Sequence, residues 1–131
     1  MTTPSASKFF IVDSSGWVEY LGGGSKETAF ASYFSDANRV LLPTIVVYEV
    51  HKKILREKGK TPADLFLSHA FSFGARIVDL DLELSIAASV ISLEKGLPMA
   101  DAIIYASAQR HRAQLITSDA HFHGLTDVTV L

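Results

Sequence analysis

The sequence predicts an α/β fold with a mainly parallel five-stranded sheet and helices on both faces. Short apolar runs alternate with helical patterns along the whole chain, and the first run, residues 9–12, ends on Asp13. Four large apolar residues in a row are typical of a strand covered on both faces, as at the centre of a parallel sheet. Right-handed crossovers then bring the carboxyl ends of all strands to one edge.

The remaining elements follow in chain order. We predict strands over residues 9–12, 39–43, 76–79, 114–117 and 127–131, and helices over residues 17–21, 26–36, 45–58, 61–73, 80–95 and 99–112. Three consecutive glycines, residues 22–24, mark a loop because glycine is too flexible to stay helical. Thr44 is predicted as a helix N-cap, and Thr61 as the cap before a proline that opens the next helix.

Length and composition set the broad class of the protein. With 131 residues, 48% apolar and 20% charged, we expect a single domain over residues 1–131, with residues 1–7 as a flexible tail. There is no cysteine, no signal-peptide pattern and no apolar run of roughly 20 residues, which favours a cytoplasmic protein without a membrane partner. The net charge of −2 gives no general attraction for nucleic acid, so any such binding requires a local basic patch.

Four acidic residues are expected at the carboxyl edge of the sheet. Asp13 and Asp119 follow strands, Asp101 lies in the first turn of a helix, and Glu49 lies about one turn into another. Each has a structural alternative: Asp13 and Asp119 as helix caps, Glu49 as a partner of Lys53, and Asp101 as a charge that favours a helix N-terminus. Together, however, four converging carboxylates would repel one another. A divalent cation removes that difficulty, and oxygen donors suit Mg²⁺ or Mn²⁺ rather than zinc.

A basic stretch lies on the same predicted helix as Glu49. Its cations are candidate contacts for RNA phosphates, although such a stretch is also typical of a solvated helix face; they are Lys52, Lys53, Arg56 and Lys58. Arg110 and Arg112 are weaker candidates because they lie at the far end of their helix from the acidic edge.

Four motifs together resemble the PIN-domain ribonucleases, and most closely the VapC toxins of toxin–antitoxin systems. They are residues 11–15 (IVDSS), residues 44–49 (TIVVYE), residues 97–102 (LPMADA) and residues 115–122 (LITSDAHF), in family order. The resemblance implies that Asp13, Glu49, Asp101 and Asp119 bind metal. It also implies that Ser15 and Thr117 are hydroxyl partners that orient carboxylates or water.

One position departs from the family pattern. His121 stands where many relatives carry another acid, which leaves a second metal position open. His121 is then either a contact for RNA or an ordinary turn residue.

The resemblance implies a Mg²⁺-dependent endoribonuclease, with Mn²⁺ as an alternative ion. Its implied substrate is tRNA, rRNA or mRNA, cut to a 5′-phosphate and a 3′-hydroxyl, and its implied partner is a cognate antitoxin that neutralises growth inhibition. The alternative is a catalytically silent PIN module that binds RNA or a protein. A receiver-type phosphoacceptor and a haloacid-dehalogenase phosphatase fit less well, since the first strand lacks an acidic pair and Ser15 stands where the phosphatase needs a second Asp.

The helix over residues 61–73 carries more apolar side chains than one core-facing stripe requires. They are Leu65, Phe66, Leu67, Phe71 and Phe73. Exposed apolar patches usually mark interfaces, and VapC-like proteins typically form dimers, so we expect a two-fold homodimer through this helix. The alternative is that these side chains belong to the core.

Overall fold

The computed structural model describes residues 9–131, so the tail expected over residues 1–7 lies outside the described residues. The strands are β1 (Phe10–Val12), β2 (Val40–Pro43), β3 (Arg76–Val78), β4 (Gln114–Thr117) and β5 (Val128–Val130). The α-helices are α1 (Ser14–Gly22), α2 (Glu27–Ala31), α3 (Thr44–Lys58), α4 (Lys60–Phe73), α5 (Leu82–Lys95) and α6 (Met99–His111). Short 3₁₀ turns cover Ser32–Phe34, Ala37–Arg39 and Ala120–Phe122.

The five strands form one parallel sheet in the order β3-β2-β1-β4-β5. β1 is the central strand, as the apolar run predicted, and Ile11 and Val12 are fully buried. The chain builds outward from β1 through β2 to β3, and later returns to the other side of β1 as β4. The crevice beyond the carboxyl ends of β1 and β4 is therefore a topological switch point, the usual ligand position in such sheets.

Only Asp13 separates β1 from α1. Its side chain accepts a hydrogen bond from the backbone N–H of Gly16, which caps the helix and lets α1 begin at Ser14 rather than near Trp17 as predicted. A Cβ atom at Gly16 would overlap the side chains of Val12 and Phe30. The glycine therefore allows the first turn of α1 to lie directly against the strand that carries Asp13.

The structure corrects three local predictions. The helix predicted over residues 26–36 is split into α2 and a 3₁₀ turn, which places Phe34 in the core against Tyr20, with ring centroids 4.3 Å apart. Thr44 is the first residue of α3, and the cap position belongs to Pro43, which offers no capping side chain. Similarly, α4 begins at Lys60, and Gly59 stands at its cap.

Most of the large apolar side chains of α4 pack in the core. Phe66 is 2% exposed, and Leu67 and Phe73 pack against the core cluster. Leu65 and Phe71 are 55% and 66% exposed. The expectation that all five side chains form one surface patch is therefore wrong, because the core alternative holds for Phe66, Leu67 and Phe73. No helix within residues 9–131 combines the length and apolar character needed to cross a membrane.

Candidate functional site

Asp13 lies at the carboxyl end of β1 and is 3% exposed. Its Oδ1 accepts hydrogen bonds from the Ser15 hydroxyl at 2.6 Å and from the Gly16 backbone N–H at 3.3 Å. Its Oδ2 accepts a hydrogen bond from the Thr117 hydroxyl at 2.7 Å. The two hydroxyl residues expected to orient a carboxylate are therefore both in contact with Asp13, and they hold it in a single orientation.

The same two hydroxyls connect β1 to the turn after β4. Thr117 Oγ1 accepts a hydrogen bond from the backbone N–H of Asp119 at 2.9 Å. Ser15 Oγ accepts one from the backbone N–H of Ser118 at 3.2 Å. Asp119 is thereby held beside Asp13, as their positions after adjacent strands predicted.

Asp101, Asp119 and His121 each present a ligand atom within 4.8 Å of the others. His121 Nδ1 lies 3.3 Å from Asp101 Oδ2 and 3.2 Å from Asp119 Oδ1. The 3₁₀ turn sets this arrangement, since the backbone N–H of His121 also donates to Asp119 Oδ1 at 2.9 Å. His121, which the sequence left undecided, therefore joins the acidic group through its imidazole ring.

Glu49 is half-buried on the first turns of α3 and accepts a hydrogen bond of 3.0 Å from the Ser14 hydroxyl. The surface pair with Lys53 considered from the sequence does not form, because Lys53 contacts Glu57 at 2.7 Å instead. Ser14 is a site contact that the sequence reading missed. The only feature of the sequence that could have indicated this contact is the position of Ser14 directly after Asp13, at the start of a helix.

Burial and mutual repulsion raise the pKa values of three acids of the site. Burial raises the pKa of Asp13, with a contribution from the Asp119 carboxylate, although hydrogen bonds from Ser15, Thr117 and Gly16 oppose the rise. Burial also raises the pKa of Glu49, and the charges of Asp101 and Asp119 add to it. The pKa of Asp101 rises for the same reasons, burial first and then Asp119, with His121 acting against it. Among residues 9–131, His121 is thus the only charged group that opposes these rises, and the carboxylates are not balanced by positive charge.

This donor set fits a divalent cation. Asp101 and Asp119 offer carboxylate oxygens, which Mg²⁺ and Mn²⁺ both accept, and His121 offers an imidazole nitrogen, which suits Mn²⁺ better than Mg²⁺. Asp13 and Glu49 lie close enough to couple electrostatically to these acids. The four predicted acids therefore gather in one region, where a cation would relieve their repulsion.

A cleft of about 530 Å³ adjoins the acids between α1 and α3. Three of the four basic residues predicted to contact RNA line it; they are Lys52, Lys53 and Arg56. Lys58 lies instead along a neighbouring groove that also reaches Lys53. Arg110 forms two hydrogen bonds with Asp81, at 2.8 and 2.9 Å, which ties the end of α6 to the start of α5.

Several solved structures share this fold. A toxin–antitoxin complex from Klebsiella pneumoniae matches with a TM-score of 0.74 and 21% identity, over 92% of this chain and 95% of that one. VapBC2 from Rickettsia felis, bound to a promoter DNA fragment, matches with a TM-score of 0.71 and 16% identity, over 94% and 97%. VapC20 from Mycobacterium tuberculosis, a toxin that cleaves the sarcin–ricin loop, matches with a TM-score of 0.68 and 20% identity, over 80% and 85%.

Sequence comparison gives the family. No curated protein sequence matches the chain. The family model described as the PIN domain, however, matches residues 10–127, which is nearly all of the chain. That span contains every element of the sheet up to the start of β5 and all four predicted acids. The chain therefore belongs to the PIN domain family.

Proposed function

We propose that this protein is a divalent-metal-dependent endoribonuclease of the VapC type, which inhibits growth until a cognate antitoxin neutralises it. One observation carries the proposal: Asp101, Asp119 and His121 present ligand atoms within 4.8 Å of one another, beside the buried carboxylate of Asp13. The similarity to toxins of toxin–antitoxin systems supports the same function.

In this proposal each side chain of the site has a distinct task. Asp101, Asp119 and His121 would hold Mg²⁺ or Mn²⁺, which supplies a Lewis acid that neutralises charge on a phosphodiester during in-line hydrolysis. Asp13 completes the negative site, and its two hydroxyl partners keep its orientation fixed. Glu49 uses Oε1 to accept from Ser14, which leaves Oε2 for a proton from the attacking water.

The cleft beside the acids would receive the RNA backbone. Lys52, Lys53 and Arg56 place positive charge along the α3 wall, Glu19 lies on the α1 wall, and Glu49 is the site acid that lines the cleft. Because the protein as a whole carries a charge of −2, this local patch rather than the bulk charge would attract phosphates. The implied RNA classes remain tRNA, rRNA and mRNA.

A second groove, of about 260 Å³, would take part of the antitoxin. It lies between α1, α3 and α4 and is mainly apolar, with Leu21, Ile54 and Leu65 among its lining residues. Lys53 lines both this groove and the RNA cleft. A segment bound in the groove would therefore end beside the acidic site, where it could exclude RNA.

Cleavage of labelled structured RNA by the purified full chain tests the nuclease. We expect cleavage with Mg²⁺ or Mn²⁺ and none with EDTA. Asp101→Asn should lower the rate at least about a hundredfold and leave the fold intact, because it removes a repelling charge. Asp64→Asn is the matched control, since Asp64 forms an exposed pair with Lys60 on α4 and does not line the cleft. RNA binding without metal-dependent cleavage would instead indicate the silent PIN module.

A further inference from the structure

One exposed aromatic side chain lines the RNA cleft. Tyr48 directly precedes Glu49 on α3, lines the cleft and is 57% exposed. The other aromatic side chains near α1 and α3 lie in the core cluster, where Trp17 contacts Phe34 and Phe66 edge-on. Tyr48 therefore takes no part in the core and lines the same cleft as Glu49.

Lys52 lies one helical turn beyond Tyr48 and is directed toward it. Lys52 Nζ is 3.4 Å from the Tyr48 hydroxyl and 5.5 Å from the centre of its ring. Within residues 9–131 Lys52 forms no ion pair with a carboxylate, whereas Lys53 and Arg56 both contact Glu57, at 2.7 and 3.5 Å. Of the three cations that line the cleft, Lys52 is thus the one that forms no ion pair with a carboxylate of residues 9–131.

Tyr48, Lys52 and Arg56 follow one another at four-residue spacing, so they form a stripe along α3 with steps of about 6 Å. An aromatic face followed by cations is the combination that binds single-stranded nucleic acid, since a base stacks on the ring while phosphates meet the cations. Inside a duplex, the neighbouring base pairs cover both faces of each base. The stripe begins beside Glu49 and continues toward the C-terminus of α3, so one end of an RNA strand bound along it would lie next to Glu49.

We propose that Tyr48 is a base-stacking platform that selects an unpaired nucleotide next to the bond to be cut, with Lys52 holding the adjoining phosphate. This inference rests on the proposed ribonuclease function and adds a specificity residue to it. The substrate class it implies is RNA with an unpaired segment, either a loop or a single strand. Duplex RNA would meet the cations but not the ring.

Binding of fluorescein-labelled RNA, followed by anisotropy, tests the proposal. The full chain carries Asp101→Asn and is measured with Mg²⁺, and a gel confirms that the RNA stays intact. The probes are a mixed-sequence single-stranded 12-mer and the same strand paired with its complement. Tyr48→Leu should weaken binding of the single strand about tenfold, the usual loss for one stacked base, and change duplex binding less than twofold.

Two further variants separate stacking from other effects. Tyr48→Phe keeps the ring and should bind within about twofold of the parent protein. Phe71→Leu alters another exposed aromatic side chain, on α4, and should change nothing. Equal losses for single-stranded and duplex RNA, equal losses for Tyr48→Phe and Tyr48→Leu, or no loss for Tyr48→Leu would each overturn the platform.

The same experiment distinguishes failure of the platform from failure of the nuclease. If the unmodified chain cleaves RNA and the parent protein binds it, but Tyr48→Leu has no effect, only the platform is wrong. If the unmodified chain neither cleaves RNA with Mg²⁺ or Mn²⁺ nor binds the single strand, the proposed function is wrong and the platform with it.

Discussion

The hydroxyl of Thr117 donates a 2.7 Å hydrogen bond to Asp13, although 104 positions separate the two residues along the chain. Thr117 is fully buried and Asp13 nearly so. The same hydroxyl oxygen accepts a hydrogen bond from the backbone N–H of Asp119. Thr117 therefore joins the end of β1 to the turn after β4 and, together with Ser15, fixes the relative position of two acids of the site.

Thr117→Val keeps the shape of the side chain but removes the hydroxyl. Asp13 Oδ2 and the Asp119 N–H each lose a partner, so we expect a loss of about 1–3 kcal/mol in the free energy of unfolding and a large fall in RNA cleavage. Thr117→Ser keeps the hydroxyl and loses one methyl group, at a cost of about 1 kcal/mol, and should remain active. Urea unfolding and cleavage assays measure both. Equal stability and equal activity of the two variants would contradict this role.

The raised pKa values of Asp13, Glu49 and Asp101 predict that these three carboxyls contribute less to the stability of the metal-free protein as the pH rises. His111, whose pKa is lowered by burial, acts in the opposite sense. The folded chain retains protons on these carboxyls that the unfolded chain, with ordinary pKa values of about 4, has released. Their contribution is therefore fully present below about pH 4 and is lost as the pH rises through the raised values. A bound cation would offset the loss. We expect Mg²⁺ to raise the melting temperature more at about pH 8 than at about pH 5.

Thermal unfolding at both pH values, with Mg²⁺ or with EDTA, measures this effect. Asp101→Asn removes one of the titrating groups and should flatten the pH dependence. Asp81 does not interfere, because hydrogen bonds from Arg110 lower its pKa to about 2 and its contribution is lost only in stronger acid. An equal shift by Mg²⁺ at both pH values would count against cation binding by these acids.

The imidazole of His121 predicts a preference for Mn²⁺ over Mg²⁺. A nitrogen ligand strengthens binding of a transition metal more than binding of Mg²⁺. His121→Ala should therefore weaken Mn²⁺ binding by at least about tenfold, because loss of even a residue that only supports a metal ligand commonly costs that much. Binding of Mg²⁺ should change less. Isothermal titration calorimetry measures both ions. His123→Ala is the control, since His123 is exposed and follows the same 3₁₀ turn; equal effects of the two variants would refute ligation by His121.

The fold could be predicted because its signals are local and periodic. The apolar run before Asp13 indicated a central strand, and the alternation of strands and helices indicated the parallel sheet. The predicted helix over residues 26–36 failed because Phe34 is drawn into the core against Tyr20 and Trp17, which tightens the chain into a 3₁₀ turn. Such packing between distant segments cannot be read from the local spacing of apolar residues in the sequence.

Topology predicted the backbone positions of the acids, and the family resemblance indicated Ser15 and Thr117 as hydroxyl partners, but the other side-chain contacts of the site could not be predicted. Asp13 and Asp119 follow adjacent parallel strands, so topology alone brings them together. Side-chain partners depend on rotamers and on neighbouring helices. For this reason the sequence could not show that Lys53 would choose Glu57 rather than Glu49, or that Ser14 would reach Glu49 from another helix. His121 lies in a 3₁₀ turn, where no period indicates the direction of a side chain.

An apolar stripe on α5 indicates where a second copy of the chain would pack. Its four side chains follow one another at helical spacing and are 48–88% exposed; they are Leu82, Ile86, Val90 and Leu93. On α4, by contrast, the side chains of the originally predicted interface are mostly in the core. We therefore expect the homodimer to form through α5 rather than α4. An uncharged apolar stripe can meet its own copy across a two-fold axis, because no charges of like sign are brought together.

Light scattering at micromolar concentration, with one lysine introduced on each helix, decides between these surfaces. Ile86→Lys should give a monomer, because dimerisation through α5 would bury its charge at the interface. Phe71→Lys should remain a dimer. Both positions are more than half exposed, at 58% and 66%, so neither change should unfold the chain, and thermal unfolding confirms this. A monomeric unmodified protein would refute the dimer itself. Dissociation by Phe71→Lys but not by Ile86→Lys would return the interface to α4.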